Sequence, residues 1–131
     1  MTIPLWTLLV ATLLPYLWFG LSNPMRKAEF GTLDNNHPRL QEAKQTGKGA
    51  RALAASANAF EALAVYAPAV LVAHIQSPAS ALAPLIAIVW VVVRTLHGIA
   101  YIGDKAALRT ALFTLGSLAA LALYLVGAHI L

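Results

Sequence analysis

Four long apolar runs, separated by shorter polar stretches, dominate the pattern of this 131-residue chain. A helix needs about 20 mostly apolar residues to cross the hydrocarbon core of a bilayer. Runs of that length occupy residues 3–22, 50–74, 79–102 and 108–130. The pattern therefore predicts four transmembrane helices, with a polar loop over residues 23–49 after the first.

A β-barrel does not match this pattern. Barrel strands alternate polar and apolar residues over about ten positions, whereas these runs are unbroken and rich in Leu and Ala. Pro15, Pro68 and Pro84 lie inside the runs, and helices in lipid tolerate proline where neighbouring groups satisfy the freed carbonyls. We predict an all-α integral membrane protein, a four-transmembrane-helix bundle that forms one domain over residues 1–131.

The composition strengthens this prediction. Apolar residues make up 60% of the chain and charged residues 11%, whereas a soluble domain carries about 25% charge. The chain has no cysteine, which excludes a disulfide scaffold, a thiolate metal site and a cysteine nucleophile. No metal site is predicted.

The basic residues indicate an orientation. Those near the long loop and the last turn are Arg26, Lys27, Arg39, Lys44, Lys48, Arg51, Lys105 and Arg109. The opposite side has none, so the positive-inside rule places the loop in the cytoplasm and both termini away from it. Basic residues follow the first run, which disfavours a cleaved signal peptide. The net charge of +4 then needs no nucleic-acid partner, although the loop can contact anionic lipid.

Polar residues inside the apolar runs are costly in lipid and are the candidates for function. On the second helix, Arg51, Asn58 and Glu61 fall within an arc of about 80°. On the third helix, Arg94, His97 and Tyr101 fall within an arc of about 60°.

The polar faces of the second and third helices lie at similar depth in the membrane. Glu61 lies about 15 Å along its helix from Arg51, and Arg94 lies about 12 Å from the end of the third helix. Arg109 opens the fourth helix on the same side. We predict a cation-rich pocket in the cytoplasmic half that favours an anionic ligand. The alternative is a structural Glu61–Arg94 ion pair, with His97 packed in the bundle, Tyr101 in the interfacial belt and Arg109 as an anchor.

These positions form two ordered motifs, Asn58-x-x-Glu61 and then Arg94-x-x-His97-x-x-x-Tyr101, followed by Arg109. Together with the four-span layout they resemble the MAPEG superfamily, the membrane-associated proteins in eicosanoid and glutathione metabolism. The resemblance is strongest from Arg51 to Arg109. His97 is the variant found in the microsomal transferase branch and in bacterial members of the family. We expect a multi-pass protein of a bacterial inner membrane.

The resemblance implies a homotrimer that binds glutathione between subunits near the cytoplasmic side. Asn58, Glu61, Arg94, His97 and Tyr101 would line the glutathione site, and Arg109 would stabilise the thiolate. The implied function is a glutathione-dependent transferase or peroxidase, whose apolar electrophile or lipid hydroperoxide enters from the bilayer.

Two positions depart from the family pattern. Many members have arginine four residues before the asparagine, where this chain has Ala54; Arg51, one turn earlier, is the candidate substitute. Leukotriene-forming members have tyrosine directly after the glutamate, where this chain has Ala62. Leukotriene synthesis is therefore disfavoured, and a non-catalytic MAPEG-like protein stays open.

Two other classes compete with this interpretation. A small proton-coupled exporter also has four spans and one membrane glutamate. Dual-topology exporters, however, need balanced loop charges and short loops, and this chain has neither. A haem-binding subunit could use His74 and His129, which lie at the non-cytoplasmic ends of their helices. End-of-helix histidines usually lie in the interface, so we rank this class last.

Overall fold

The computed structural model describes all 131 residues and contains helices only. In chain order they are α1 (Ile3–Phe30), α2 (Pro38–Lys44), α3 (Gly47–Gln76), α4 (Leu82–Ile102) and α5 (Ala106–Gly127). All except α2 are long and apolar enough to cross a membrane. The prediction of an all-α bundle with four spans is confirmed.

The first helix is longer than predicted. It passes through Pro24 and ends at Phe30, where Gly31 adopts a φ of 79° and its N–H donates to the Lys27 carbonyl. The charged residues after position 22 mark the point where the chain leaves lipid, but leaving lipid does not end a helix. The short α2 also lies inside the predicted loop, so much of residues 23–49 is helical and the loop boundaries were wrong.

Polar contacts, one buried and one exposed, hold this extension against α2 and α3. Arg26 is 5% exposed; it donates to the Glu42 carboxylate at 2.7 Å and to the Asn23 side-chain oxygen at 2.9 Å. The Glu29 carboxylate accepts from the backbone N–H of Thr46 at 3.1 Å and from its hydroxyl at 2.7 Å. Glu29 therefore satisfies an amide at the start of α3, where a negative charge is favourable.

The turn before α2 is organised by one carboxylate. Asp34 Oδ1 accepts from the backbone N–H groups of Asn36 and His37, each at 2.9 Å. These bonds, that from His37 foremost, hold the pKa of Asp34 below its ordinary value of 3.8. Asp34 therefore stays ionised, and its carboxylate organises the turn that leads into α2.

An aromatic stack joins three helices in the apolar part of the bundle. The rings of Tyr66 on α3 and Trp90 on α4 lie parallel, with centroids 3.6 Å apart. The Tyr66 hydroxyl donates to Thr7 on α1 at 2.8 Å, so the fully buried phenol is satisfied. Nearby, Gly98 lets the ring of Trp18 pack directly on α4, since a Cβ there would overlap the indole.

Contacts at one end of the bundle show which helix ends lie together. At one end the Thr2 hydroxyl lies 3.4 Å from His74 Nδ1, and Ser77 donates to the Val126 carbonyl at 2.8 Å. Both termini and the α3–α4 turn therefore share that end, as four spans require. His129 contacts Ser77 at 3.3 Å, so each histidine of the haem alternative has its own hydroxyl neighbour.

Two arginines share the carboxylate of Glu42, and only one of them is buried. We expect Arg26→Ala to lower the free energy of unfolding by about 3 kcal/mol, the cost of breaking a buried ion pair. Arg39→Ala should cost less than about 1 kcal/mol, because the Arg39 side chain is 86% exposed. Chemical unfolding in detergent compares the two variants. Equal losses would contradict a structural role specific to Arg26.

Candidate functional site

A buried arginine on α4 is held by an asparagine on α3. The Arg94 guanidinium donates to the Asn58 side-chain oxygen at 2.6 Å and to its backbone carbonyl at 3.1 Å. Arg94 is 4% exposed, and its charge cannot be solvated by lipid. The two oxygens of Asn58 therefore replace water for a charge in the apolar bundle.

The Glu61–Arg94 ion pair, which was the structural alternative to a ligand pocket, is absent, because no carboxylate oxygen lies within 4.0 Å of Arg94. The Asn58 amide links them instead, since its nitrogen donates to Glu61 at 3.3 Å. Asn58 and Glu61 lie three residues apart on one helix face, and an amide has both a donor and an acceptor to offer. Glu61 is exposed in the single chain, so its carboxylate is available to a ligand or a second copy.

The other predicted site residues form a row that begins at α5. The Arg109 guanidinium carbon lies 4.5 Å from the centroid of the Tyr101 ring. The Tyr101 and His97 rings meet edge to face with centroids 5.7 Å apart, and His97 lies 6.4 Å from Phe113. The Arg109 guanidinium therefore lies over the face of the Tyr101 ring. No carboxylate lies within 4.0 Å of Arg109.

Arg51 does not join the other predicted residues. Its Nε donates to the carbonyl of Ile102 at 3.1 Å, and its Nη1 lies 3.7 Å from an Asp104 carboxylate oxygen. A cation at a helix C-terminus satisfies carbonyls that have no partner in the helix. Arg51 therefore fastens α3 to the end of α4, and within the single chain it does not take the place of the arginine missing at Ala54.

A cavity of about 230 Å³ lies where the two groups of residues meet, between α3, α4 and α5. Glu61 and Arg94 line its polar side, and Phe113, at the end of the row from Arg109, lines its apolar side. Its other lining residues are Ala62, Val65, Trp90, Gly116, Ser117 and Ala120. The guanidinium group of Arg94 and the carboxylate of Glu61 therefore lie at one space, which suits a ligand that carries both anionic and cationic groups. Arg109 does not line this space and is connected to it through the rings of Tyr101, His97 and Phe113.

Sequence reasoning missed Gly116 and Trp90. A Cβ on Gly116 would lie 2.9 Å from Arg94 Cδ, so this glycine makes the room in which the arginine side chain extends. A glycine inside a helix costs about 1 kcal/mol relative to alanine, and that cost was the available signal of a close approach. Trp90 gave no such signal, because an aromatic residue in an apolar helix is ordinary.

Comparison with known proteins identifies the family. A family model described as the MAPEG family matches residues 3–129, and the chain belongs to that family. Searches of curated proteins and of solved structures gave no significant match. Family membership supports, in general terms, a membrane function related to glutathione or eicosanoid metabolism. Together, family membership and the four apolar helices establish that the chain is an integral multi-pass membrane protein.

Gly116 offers a direct test of this geometry. Gly116→Ala should lower the free energy of unfolding by up to about 2 kcal/mol. The new methyl group displaces Arg94, an overpacking cost of about 1–3 kcal/mol, and the higher helix propensity of alanine offsets about 1 kcal/mol of it. Gly20→Ala is the matched control, since a Cβ on Gly20 meets nothing within 4 Å and alanine favours the helix. Thermal unfolding in detergent measures both. Equal stability of the two variants would show that Gly116 does not limit the position of Arg94.

Proposed function

We propose that the protein is a membrane-bound glutathione-dependent transferase or peroxidase that acts on apolar electrophiles or lipid hydroperoxides. The observation that carries this proposal is the pair of guanidinium groups, Arg94 and Arg109, neither of which has a carboxylate partner. Arg94 lines the cavity, and Arg109 is linked through the rings of Tyr101 and His97 to Phe113, another residue of the cavity wall. Family membership supports the same chemistry.

Glutathione matches the charges available here. It carries two carboxylates, one ammonium and a thiol. Arginine pairs with carboxylate through charge-assisted hydrogen bonds, and Glu61 is the acidic group available for the ammonium. Asn58, His97 and Tyr101 supply polar and aromatic contacts beside these charges, as the family resemblance implies.

The thiol step gives Arg109 its proposed role. A free thiol has a pKa of about 8.5, and a neighbouring cation lowers it. Arg109 is the candidate for this effect, because its guanidinium is held on Tyr101 and is not neutralised by a carboxylate. The thiolate then attacks an apolar acceptor that reaches the site from the bilayer.

Exposure of Glu61 supports an assembly of several copies. An ionised carboxylate that faces hydrocarbon is costly, and a cavity of about 230 Å³ is smaller than the roughly 300–1,000 Å³ of typical small-molecule sites. A second copy of the chain would cover Glu61 and add walls to the site. We therefore propose a homotrimer with glutathione between subunits, as the family resemblance implies.

The proposed orientation follows from the basic residues. The end of the bundle that carries α2 and the contact between Arg51 and Ile102 holds all the charged loops. The positive-inside rule places that end in the cytoplasm, in a bacterial inner membrane. Glutathione would then reach the site from the cytoplasm.

A glutathione titration of the purified protein in detergent tests the binding site. We expect saturable binding, weakened about tenfold or more by Arg94→Ala and by Glu61→Gln, because a hydrogen bond to a charged group contributes about 1.5–3 kcal/mol. Lys44→Ala, which removes a charge from α2 outside this cavity, should leave the affinity unchanged. Absence of binding by the wild-type protein, with its fold intact by circular dichroism, would overturn the proposal and favour a non-catalytic member.

The ultraviolet absorbance of bound glutathione tests the role of Arg109. The wild-type complex should show thiolate absorbance near neutral pH, Arg109→Ala should lose it, and Arg109→Lys should keep part of it because the charge remains. A thiolate signal that survives in Arg109→Ala would exclude Arg109 as the stabilising group, even if glutathione binds.

A further inference from the structure

A groove on the other side of α3 from the candidate site runs between α1, α2 and α3. We propose that this groove binds an anionic phospholipid, whose phosphate pairs with Arg39 while one acyl chain lies along the apolar floor. The groove measures about 500 Å³, more than twice the volume of the cavity at Arg94, and the two share no lining residue. The inference is therefore independent of the proposed function.

The groove has a charged end and an apolar length. Arg39 and Glu42 lie three residues apart on one face of α2 and form its charged end. From Leu53 to Phe60 the groove follows α3 for about 10 Å. Its other lining residues are Tyr16, Phe19, Ser56 and Ala57. The groove therefore runs from the level of the charged loops into the membrane-spanning part, as a single lipid molecule does.

The floor of the groove suits an acyl chain. Ser56 is the one buried residue of the lining, and its hydroxyl already donates to the Pro15 carbonyl at 2.8 Å. Tyr16 and Phe60 at the far end are 63% and 45% exposed, and their rings meet edge to face with centroids 5.4 Å apart. A hydrocarbon chain on this floor therefore leaves the Ser56 hydroxyl with its partner, and that hydroxyl adds no desolvation cost.

The charged end carries an excess of positive charge. The Glu42 carboxylate accepts from Arg26 at 2.7 Å and from Arg39 at 2.9 Å, so two guanidinium groups share one negative charge. Arg26 is buried and its Nε has no hydrogen-bond partner. The Arg39 side chain is 86% exposed, and a guanidinium group has five N–H donors. Arg39 therefore has donors free for an anion that would balance the second positive charge.

An anionic phospholipid matches both parts of the groove. Arginine pairs bidentately with phosphate, and in a lipid the phosphate is joined to apolar chains, as Arg39 is joined here to an apolar floor. A free anion would leave that floor uncovered. A zwitterionic lipid would bring its own ammonium group toward two guanidinium groups. The charge and the shape together therefore favour a lipid with a net negative charge.

A lipid titration followed by native mass spectrometry of the detergent-purified protein tests the charged end. We expect dioleoyl phosphatidylglycerol to bind about tenfold more tightly than the phosphatidylcholine of the same chains, and Arg39→Ala to remove this preference because a charge-assisted hydrogen bond is lost. Arg39→Lys should keep part of it. Lys44→Ala is the matched control, because it removes the same charge from α2 outside the groove. Equal effects of the two alanine variants, or displacement of the lipid by an equal concentration of inorganic phosphate, would overturn the proposal.

Two exposed alanines test the apolar floor. Ala57 lines the groove on α3, whereas Ala111 lies on α5, which contributes nothing to the groove. Ala57→Trp should fill the groove and weaken phosphatidylglycerol binding severalfold, while Ala111→Trp should bind as the wild type does. Circular dichroism checks that both variants are folded. Equal lipid affinity of the two variants would overturn the proposal. So would a smaller oligomer for Ala57→Trp with unchanged lipid affinity, because the groove would then be a contact between copies of the chain.

Discussion

The charge of Arg94 is the constraint on which the membrane part of this protein depends. Lipid cannot solvate a guanidinium group, so the bundle must supply oxygens where the side chain ends. Asn58 on the neighbouring helix supplies two, at 2.6 and 3.1 Å, and Gly116 on a third helix leaves the room that the side chain needs. One charged residue therefore specifies how α3, α4 and α5 pack against one another.

The same arrangement leaves Arg94, Arg109 and Glu61 without an ion-pair partner. Asn58 solvates Arg94 without neutralising it, and Tyr101 holds Arg109 through its ring face, again without a carboxylate. Glu61 remains exposed at the edge of the cavity. A purely structural network would pair these charges with each other, as buried ions in proteins usually are. Glu61 and Arg94 line one cavity without forming an ion pair, and an anionic, partly cationic ligand such as glutathione would provide the missing partners.

The helical spans and the faces that carry the site residues could be predicted from the sequence, because both depend on the length and periodicity of single helices. The apolar runs fixed the number of spans, because their length matches the bilayer and α-helices are the structure that such runs form in lipid. The spacing of Asn58 and Glu61, and of Arg94, His97 and Tyr101, placed each set on one helix face. Helix boundaries were less accessible: charges at Arg26 and Glu29 indicated the edge of the membrane, whereas α1 continues to Phe30 because those charges are satisfied by α2 and α3.

The sequence by itself therefore determined the fold class, the spans and the family motifs. Only the tertiary structure decided which groups meet. Similar depth along two helices left a Glu61–Arg94 pair open as an alternative, yet the Asn58 amide lies between them. Arg51 lies on the predicted face, yet binds the end of α4. The position of Trp90 at the cavity depends on contacts between residues far apart in the chain, such as Tyr66 with Trp90 and with Thr7. Period and length are properties of one helix, whereas partners and cavities are set by the rotation and spacing between helices.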